Sequence, residues 1–490
     1  MGEKRILAFD FGASSGRAML GTFDGERIRL QEIHRFSNDP VIVNGTMYWD
    51  ILRLFHEVKQ GILKAKHAGG FDSIGVDTWG VDFGLLDKDG KLLENPVHYR
   101  DSRTEGMLEE AFKKLSKEEF YRITGLQFME INTAFQLLSL AINRPEVLER
   151  AETLLLTPDL FNYFLTGEKK AEYSIASTTQ LLDAKAGEWS NEVIDALGLP
   201  KKIFQEIVPC GTRIGTLSKE ICEELGVEPV QVVAVAGHDT QCALVSVPAE
   251  SDDFIFISCG TWSLFGTELE APLIGPKSEA YNITNEGGYA KKASFLKNII
   301  GLWLIQESRR QWIREGEELS FGELEKLAAA EEPFLAFIDP DAPEFVPAGN
   351  VPERIREYCR RTGQKVPETK GQIVRCINES LAMKYRVTLE QIADCTGKDY
   401  SAIHMVGGGT QSGLLCSFTA SACGMPVVAG PVEATVLGNI ALQLMADGAI
   451  ADLKQAREII AREPDIKKYE PQNKEAWDKA YQEFRRITGC

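Results

Sequence analysis

The 490-residue sequence is short of positive charge: 54 Lys and Arg stand against 72 Asp and Glu, a formal net charge of −18. Nucleic acids and anionic membrane surfaces recruit clustered Lys and Arg, so neither is expected as a partner. No apolar run approaches the length of a membrane span. Met1–Arg5 leads directly into a predicted strand without a signal core, and a cytoplasmic location is expected. The ten cysteines, scattered from Cys210 to Cys490, show no CxxC grouping, so neither a zinc site nor a disulfide framework is signalled. Gly-Lys-Ser/Thr is missing too, which excludes a Walker loop as the phosphate-binding device. Disorder is not indicated, because 44% hydrophobic and 26% charged residues make a globular composition.

A chain of this length is expected to form two domains. A proline-led acidic stretch, Pro248–Asp253, precedes a strong predicted strand, Phe254–Ser258, and puts the boundary between 1–247 and 248–490. Alternating apolar residues predict an opening meander of Ile6–Asp10, Arg17–Phe23 and Arg27–Phe36, and Asn44-Gly45 reads as a hairpin turn. The spacing of Ile51, Leu54, Phe55, Val58, Ile62 and Leu63 predicts a helix over 49–68, followed by a strand, Ser73–Asp77. Leu85–Leu93 reads as a hairpin on Asp89-Gly90. Residues 104–200 read as a largely helical insertion, including Glu105–Leu115 and Glu146–Leu154. A strand, Gln231–Ala236, then ends in Gly237-His238-Asp239-Thr240. The second half partly repeats the plan: a strand meets the turn Ser258-Cys259-Gly260-Thr261-Trp262-Ser263 and continues as strand. Later come a helix over Gly371–Asp394, a strand over Ala402–Val406, Gly407-Gly408-Gly409, a helix over Ser412–Ala422 and a strand over Pro426–Ala429. Strand, glycine loop, helix and strand make an α/β nucleotide-binding pattern.

Asp10-Phe11-Gly12-Ala13-Ser14-Ser15-Gly16-Arg17 lies between two predicted strands, where backbone amides, two hydroxyls and the Arg17 charge can cradle an anion. Asp10, at the strand end, is expected to hold a magnesium ion through water, since Mg2+ keeps much of its hydration shell. Thr261, in the matching turn, can donate to a phosphate, and the three glycines at 407–409 leave bare backbone for adenosine. Phosphoryl transfer to a hydroxyl needs a carboxylate to take the proton. Asp239 is the candidate, with His238 and Thr240 beside it to bind sugar hydroxyls, although an Asp at a strand end also serves as a helix cap. Asp77-Thr78-Trp79-Gly80-Val81-Asp82-Phe83 combines carboxylates, an indole face and a glycine, as a sugar pocket requires, while Trp79 suits a core equally well. Asn298, Trp303 and Gln306 are placed on one helix spanning Lys297–Gln306.

Together these segments resemble the FGGY carbohydrate kinases over nearly the whole chain. The resemblance implies two ribonuclease-H-like, actin-like ATPase domains with an active-site cleft between them that closes on sugar. It implies that Asp239 is the proton acceptor; that Ala13, Ser14, Ser15, Gly16, Arg17, Thr261, Gln306 and Gly408 contact ATP; and that Gly80, His238, Thr240 and Asn298 contact the sugar. The residues at 77–83, 238–240, 258–263, 282–288 and 430–434 resemble family members that move the γ-phosphate of ATP to the 1-hydroxyl of L-rhamnulose. The alternatives are another ketose, such as L-fuculose or L-xylulose, or a non-catalytic actin-like nucleotide-binding protein. A monomer or small homo-oligomer is expected.

Overall fold

The computed structural model describes residues 2–249, 251 and 253–490; Glu250 and Asp252, within the expected acidic stretch, lie outside the described residues. The chain divides into two compact units. The first comprises 1–248, 269–295 and 434–462, and the second 249–268, 296–433 and 463–490.

The first unit is built on a mixed sheet of β1 (Lys4–Phe11), β2 (Ser15–Phe23), β3 (Ile28–Ser37), β4 (Ser73–Thr78), β5 (Thr212–Thr216) and β6 (Gln231–Ala234), in the order β5–β6–β4–β1–β2–β3. The meander β1–β2–β3 is antiparallel, whereas β4 pairs parallel with both β1 and β6. Between β3 and β4 the chain forms the helix Ile51–His67, and its apolar stripe, Leu54, Val58 and Ile62, is fully buried against Leu7 and Phe9. Asn44 and Gly45 both have positive φ and turn the small hairpin of Val41–Val43 and Thr46–Tyr48, as the sequence indicates.

The insertion differs from expectation at one point. The helix beginning at Pro145 stops at Arg150, and Thr153–Leu156 is a strand paired with Phe83–Leu86. A short apolar run such as Leu154-Leu155-Leu156 fits a buried helix or a buried strand equally well, so periodicity does not separate them.

One element of this unit comes from far down the chain. The helix Ala434–Asp447 lies on the β1–β4 face and buries Val436, Leu437, Ile440 and Leu444 among Ile6, Ala8 and Val233. Gln443 accepts a hydrogen bond from Ser73 Oγ (2.7 Å) and donates to the Leu7 carbonyl (3.2 Å). Close approach requires Gly438, where a Cβ would collide with the Cys242 carbonyl.

In the second sheet β7 (Ile255–Cys259), β8 (Trp262–Leu269), β9 (Ala293–Ile300), β10 (Ile403–Val406), β11 (Val427–Ala429) and β12 (Lys467–Tyr469) run in the order β9–β8–β7–β10–β11–β12, with the edge strand Thr284–Gly287 beside β9. An antiparallel β7–β8 hairpin is followed by parallel pairing of β7 with β10 and of β10 with β11. This is the hairpin-then-parallel plan of the first sheet, so the duplication read from the sequence is present in the topology.

Candidate functional site

Register brings the first cradle together. Asp10 and Arg17 are direct partners across β1–β2, and Arg17 Nη2 lies 2.6 Å from Asp10 Oδ2. The turn is closed by Gly12 N–H donating to Ser15 O (2.9 Å). Asn38, a residue the sequence did not single out, braces it: its Nδ2 donates to Gly12 O (2.9 Å) and its backbone N–H to Ser14 O (3.1 Å). Gly16 is required by packing, since a Cβ there would overlap the Phe36 ring.

Three carboxylates gather beside this hairpin. Asp77 is the direct partner of Asp10 across parallel β1–β4, so both side chains leave the same face. Asp239 opens the helix Asp239–Val245 just past β6. Asp77 was expected to grip sugar hydroxyls; instead it is fully buried, with Oδ2 accepting from Asn439 Nδ2 at 2.6 Å and Oδ1 without a hydrogen-bond partner among the described residues. Burial, with the charges of Asp10 and Asp239 added, holds its carboxyl well above the usual range. Burial likewise raises Asp239; Asp10 adds to this, while His238 and the hydrogen bonds from Thr240 oppose it. Oδ1 of Asp239 accepts from Thr240 N–H (2.6 Å) and Thr240 Oγ1 (3.3 Å), and the side chain remains 32% exposed.

Among the described residues, no three ligating side chains are arranged as a metal cage. Asp10 nevertheless suits a hydrated cation. The orphaned Asp77 oxygen and the repulsion Asp10 exerts on both neighbours are what a positive charge held through water would relieve, and Mg2+ takes only one or two carboxylates directly.

The end of β4 runs beside the turn that carries Asp239: Thr78 bridges to His238, and Thr78 N–H donates to Gly237 O (2.9 Å). Gly80 thereby lies on the loop leaving that strand end. The next residue, Val81, has φ of 68°, costly for a β-branched side chain, and is pinned by Thr178 Oγ1 on its N–H (3.1 Å) and Thr133 Oγ1 on its carbonyl (2.6 Å). Trp79 is 6% exposed, tilted against Trp49 at 4.1 Å between centroids, and donates Nε1–H to Asp82 Oδ2 (3.0 Å). It is a packed side chain rather than an open platform. Asp82 is no hydroxyl grip either, since Trp49 Nε1, Tyr99 N and Gln136 Nε2 also donate to its carboxylate.

Two further carboxylates, neither found by the reading of motifs residue by residue, surround His238. Glu286 Oε2 lies 3.2 Å from Nδ1, near enough to pair as ions but not aligned for a hydrogen bond. Glu172 accepts the Gly237 N–H (2.8 Å) and the Ser174 and Ile175 N–H groups. Glu286 sits inside the Asn282–Gly288 segment, where an acidic residue between Asn285 and two glycines was the available signal; Glu172 had none.

In the second unit the β7–β8 turn repeats the closure of the first, with Gly260 N–H on Trp262 O (2.8 Å). It brings Thr261 Oγ1 to 3.3 Å from Gln306 Oε1. Gln306 is on the helix Trp303–Arg314, but Asn298 is not: it lies on β9, a correction to the single helix expected over 297–306. Gly301 breaks the segment, because a Cβ there would strike Ser263 and the Trp262 carbonyl carbon. Trp303 is buried, its Nε1–H on Phe345 O (3.1 Å). Of the glycines at 407–409, Gly407 and Gly409 pack on Cys259, while Gly408 is exposed and faces open space.

Comparison with known proteins gives the family. The N-terminal domain of the FGGY family of carbohydrate kinases matches residues 5–246, and its C-terminal domain matches 255–446. The chain belongs to the FGGY family of carbohydrate kinases and is an ATP-dependent sugar kinase. Among curated relatives it is similar to the rhamnulokinase of Bacteroides thetaiotaomicron (44% identical over 484 residues, 99% of each chain) and that of Halalkalibacterium halodurans (42% over 464 residues, 94% of this chain and 98% of the relative). In fold it resembles a ligand-bound xylulose kinase from Lactobacillus acidophilus (TM-score 0.80, 18% identity, 99% of this chain and 97% of that one). A glycerol kinase with ADP from Plasmodium falciparum is similar at TM-score 0.78 and 17% identity, with the same coverage.

Proposed function

We propose that the protein transfers the γ-phosphate of ATP to O1 of L-rhamnulose, giving L-rhamnulose 1-phosphate and ADP in the breakdown of L-rhamnose. The observation that carries the chemistry is the partly exposed Asp239 carboxylate standing beside the Asp10–Arg17 hairpin within one unit. Asp239 takes the O1 proton as the O1–P bond forms and the bond from the γ-phosphorus to the bridging oxygen of ADP breaks. Burial, by raising its pKa, makes this carboxylate a stronger base than one in water.

Ala13, Ser14, Ser15, Gly16 and Arg17 contact the phosphates of ATP. Thr261, Gln306 and Gly408 contact the nucleotide; residues 1–247 carry the phosphate hairpin and most of the sugar contacts, and 248–490 the adenosine contacts. Gly80, His238, Thr240 and Asn298 contact the ketose. Asp10 holds magnesium through water, and that ion neutralises charge on the transferring phosphates when bound. We place the enzyme in the cytoplasm as a monomer or small homo-oligomer. What supports the location is that no helix among the described residues is long and apolar enough to cross a membrane.

The test is a panel of ketoses with ATP, with the phosphorylated position mapped. The expected result is a kcat/KM for L-rhamnulose well above those for L-fuculose and L-xylulose, and a product phosphorylated at O1; equal efficiencies remove the assignment. Asp239→Asn should lower kcat by ~10²-fold or more while ATP affinity persists, since general-base assistance contributes about 10² to 10⁴. A near-normal kcat would refute the role of Asp239.

A further inference from the structure

His238 is surrounded by negative charge. The groups that face it are Glu286 from the strand Thr284–Gly287, Asp239 from the helix it opens and Glu172 from the short strand Ala171–Glu172. Nδ1 is 3.2 Å from Glu286 Oε2 and Nε2 is 3.5 Å from Asp239 Oδ1. The histidine side chain is 10% exposed and that of Glu286 only 6%.

Glu286 is itself held in place. Gln241, two residues beyond Asp239, accepts from Ser294 Oγ at 2.8 Å, which turns its amide nitrogen towards Glu286 Oε2 at 3.5 Å. A buried carboxylate calls for a compensating positive group, and the one set against Glu286 is the imidazole. Burial alone would favour neutral His238, but the attraction of Glu286, reinforced by Asp239 and Glu172, outweighs it and raises its pKa.

On the far side of the ring, the protein contacts of Asp239 all fall on one oxygen. Oδ1 receives the Thr240 N–H and Oγ1 and faces His238 Nε2, which leaves Oδ2 without a protein donor among the described residues.

We infer that Glu286 is a positioning residue: it holds His238 as an imidazolium whose Nε2–H engages Asp239 Oδ1, so that Oδ2 is the atom presented to the hydroxyl being phosphorylated. This deepens the reading of Asp239 as the base and rests on it. In a neutral ring only one nitrogen carries hydrogen, and a proton drawn to Nδ1 by Glu286 would turn a lone pair on Nε2 towards Asp239. The charged ring avoids that repulsion.

The deciding measurement is the titration of His238 in the intact enzyme without sugar or nucleotide, followed by imidazole ¹⁵N resonances and assigned by their loss in His238→Asn. The wild-type ring is expected to stay protonated at pH 7; a neutral ring there overturns the inference whatever any variant does. In Glu286→Gln, which keeps the size of the side chain, the ring should lose its proton at a pH lower by ~1 unit or more. The alkaline limb of kcat should move the same way, and kcat at pH 8 should fall roughly tenfold or more, the scale of a lost hydrogen bond to a charged group. The KM for ATP should change by less than about twofold, because uniform nucleotide binding is untouched. A fall in kcat with an unshifted His238 titration makes Glu286 merely structural and sinks the proposal. Because the titration needs no substrate, a protonated His238 in an enzyme that ignores L-rhamnulose would count against the ketose assignment alone.

Discussion

Asp82 shows how far a single side chain depends on what is folded around it. In sequence it is one of two carboxylates flanking Trp79-Gly80; in the structure four donors converge on it, Trp49 Nε1, Trp79 Nε1, Tyr99 N–H and Gln136 Nε2. Burial raises its pKa to about 6, the hydrogen bonds from Trp49, Gln136 and Trp79 and the charge of Arg103 only partly opposing it. A carboxyl raised above its unfolded value holds a proton in the folded state that the unfolded chain has already released. It therefore favours folding most at low pH, and that contribution disappears as pH rises through about 6. Asp82→Asn, which cannot titrate and turns an amide N–H towards those donors, should destabilise the protein at every pH. By this linkage its penalty should be smaller at pH 7 than at pH 4.5 by about 2 kcal/mol. Denaturant unfolding at the two pH values checks this, and an equal penalty at both would be the contrary outcome. The roles read for Asp10 and Asp239 came from their place at strand ends, which the alternation of apolar residues made visible. The burial of Asp77 was not visible, because its cover, Asn439, lies 362 residues away.

Among elements, the helix Ala434–Asp447 is the piece that sequence reading described least. No pattern of its own residues says which sheet it covers. Gly438 settles how closely it packs: the Cys242 backbone occupies the space of a side chain, and a backbone cannot rotate away as a side chain can. Gly438→Ala should therefore cost at least about 2 kcal/mol, at the upper part of the range for overpacking, measured as a lower midpoint in denaturant with unchanged slope. Gly322→Ala, where a Cβ meets nothing within 4 Å, is the control and should be close to neutral. The hairpin elements were read well, since period-2 alternation broken by Gly-Ser and Gly-Thr turns has few competing explanations. Asn298 was placed on the wrong element because Leu296-Lys297-Asn298 carries no alternation, and the break at Gly301 is imposed by Ser263 across the turn.

For the whole molecule, the division into units does not follow chain order. The first unit closes its sheet with residues 434–462, whose Val436, Leu437, Ile440, Ile450, Ile459 and Ile460 are buried in its core. Residues 1–248 expressed alone should accordingly lack that cover, bind the dye ANS and melt without a cooperative transition. A sharp two-state melt of that fragment would show the cover to be dispensable. Net charge acts at this scale too, since an excess of 18 negative charges keeps polyanions at a distance and leaves anionic substrates to local donors such as Arg17 and the turn amides.

The sequence by itself determined the local pieces: the meander, the two matching turns, the helix read over 49–68, the strand that ends at the Asp239 turn and the resemblance to a kinase family. These follow from periodicity and turn chemistry, which act between residues close in the chain. Only the tertiary structure decided which carboxylates share a neighbourhood, that Asp77 and Asp82 are held inside, that Glu286 and Glu172 surround His238, and that a helix near the end of the chain seals a sheet near its beginning. Those facts depend on register across strands and on packing between segments hundreds of residues apart, where burial and charge act through space and leave no mark in local spacing.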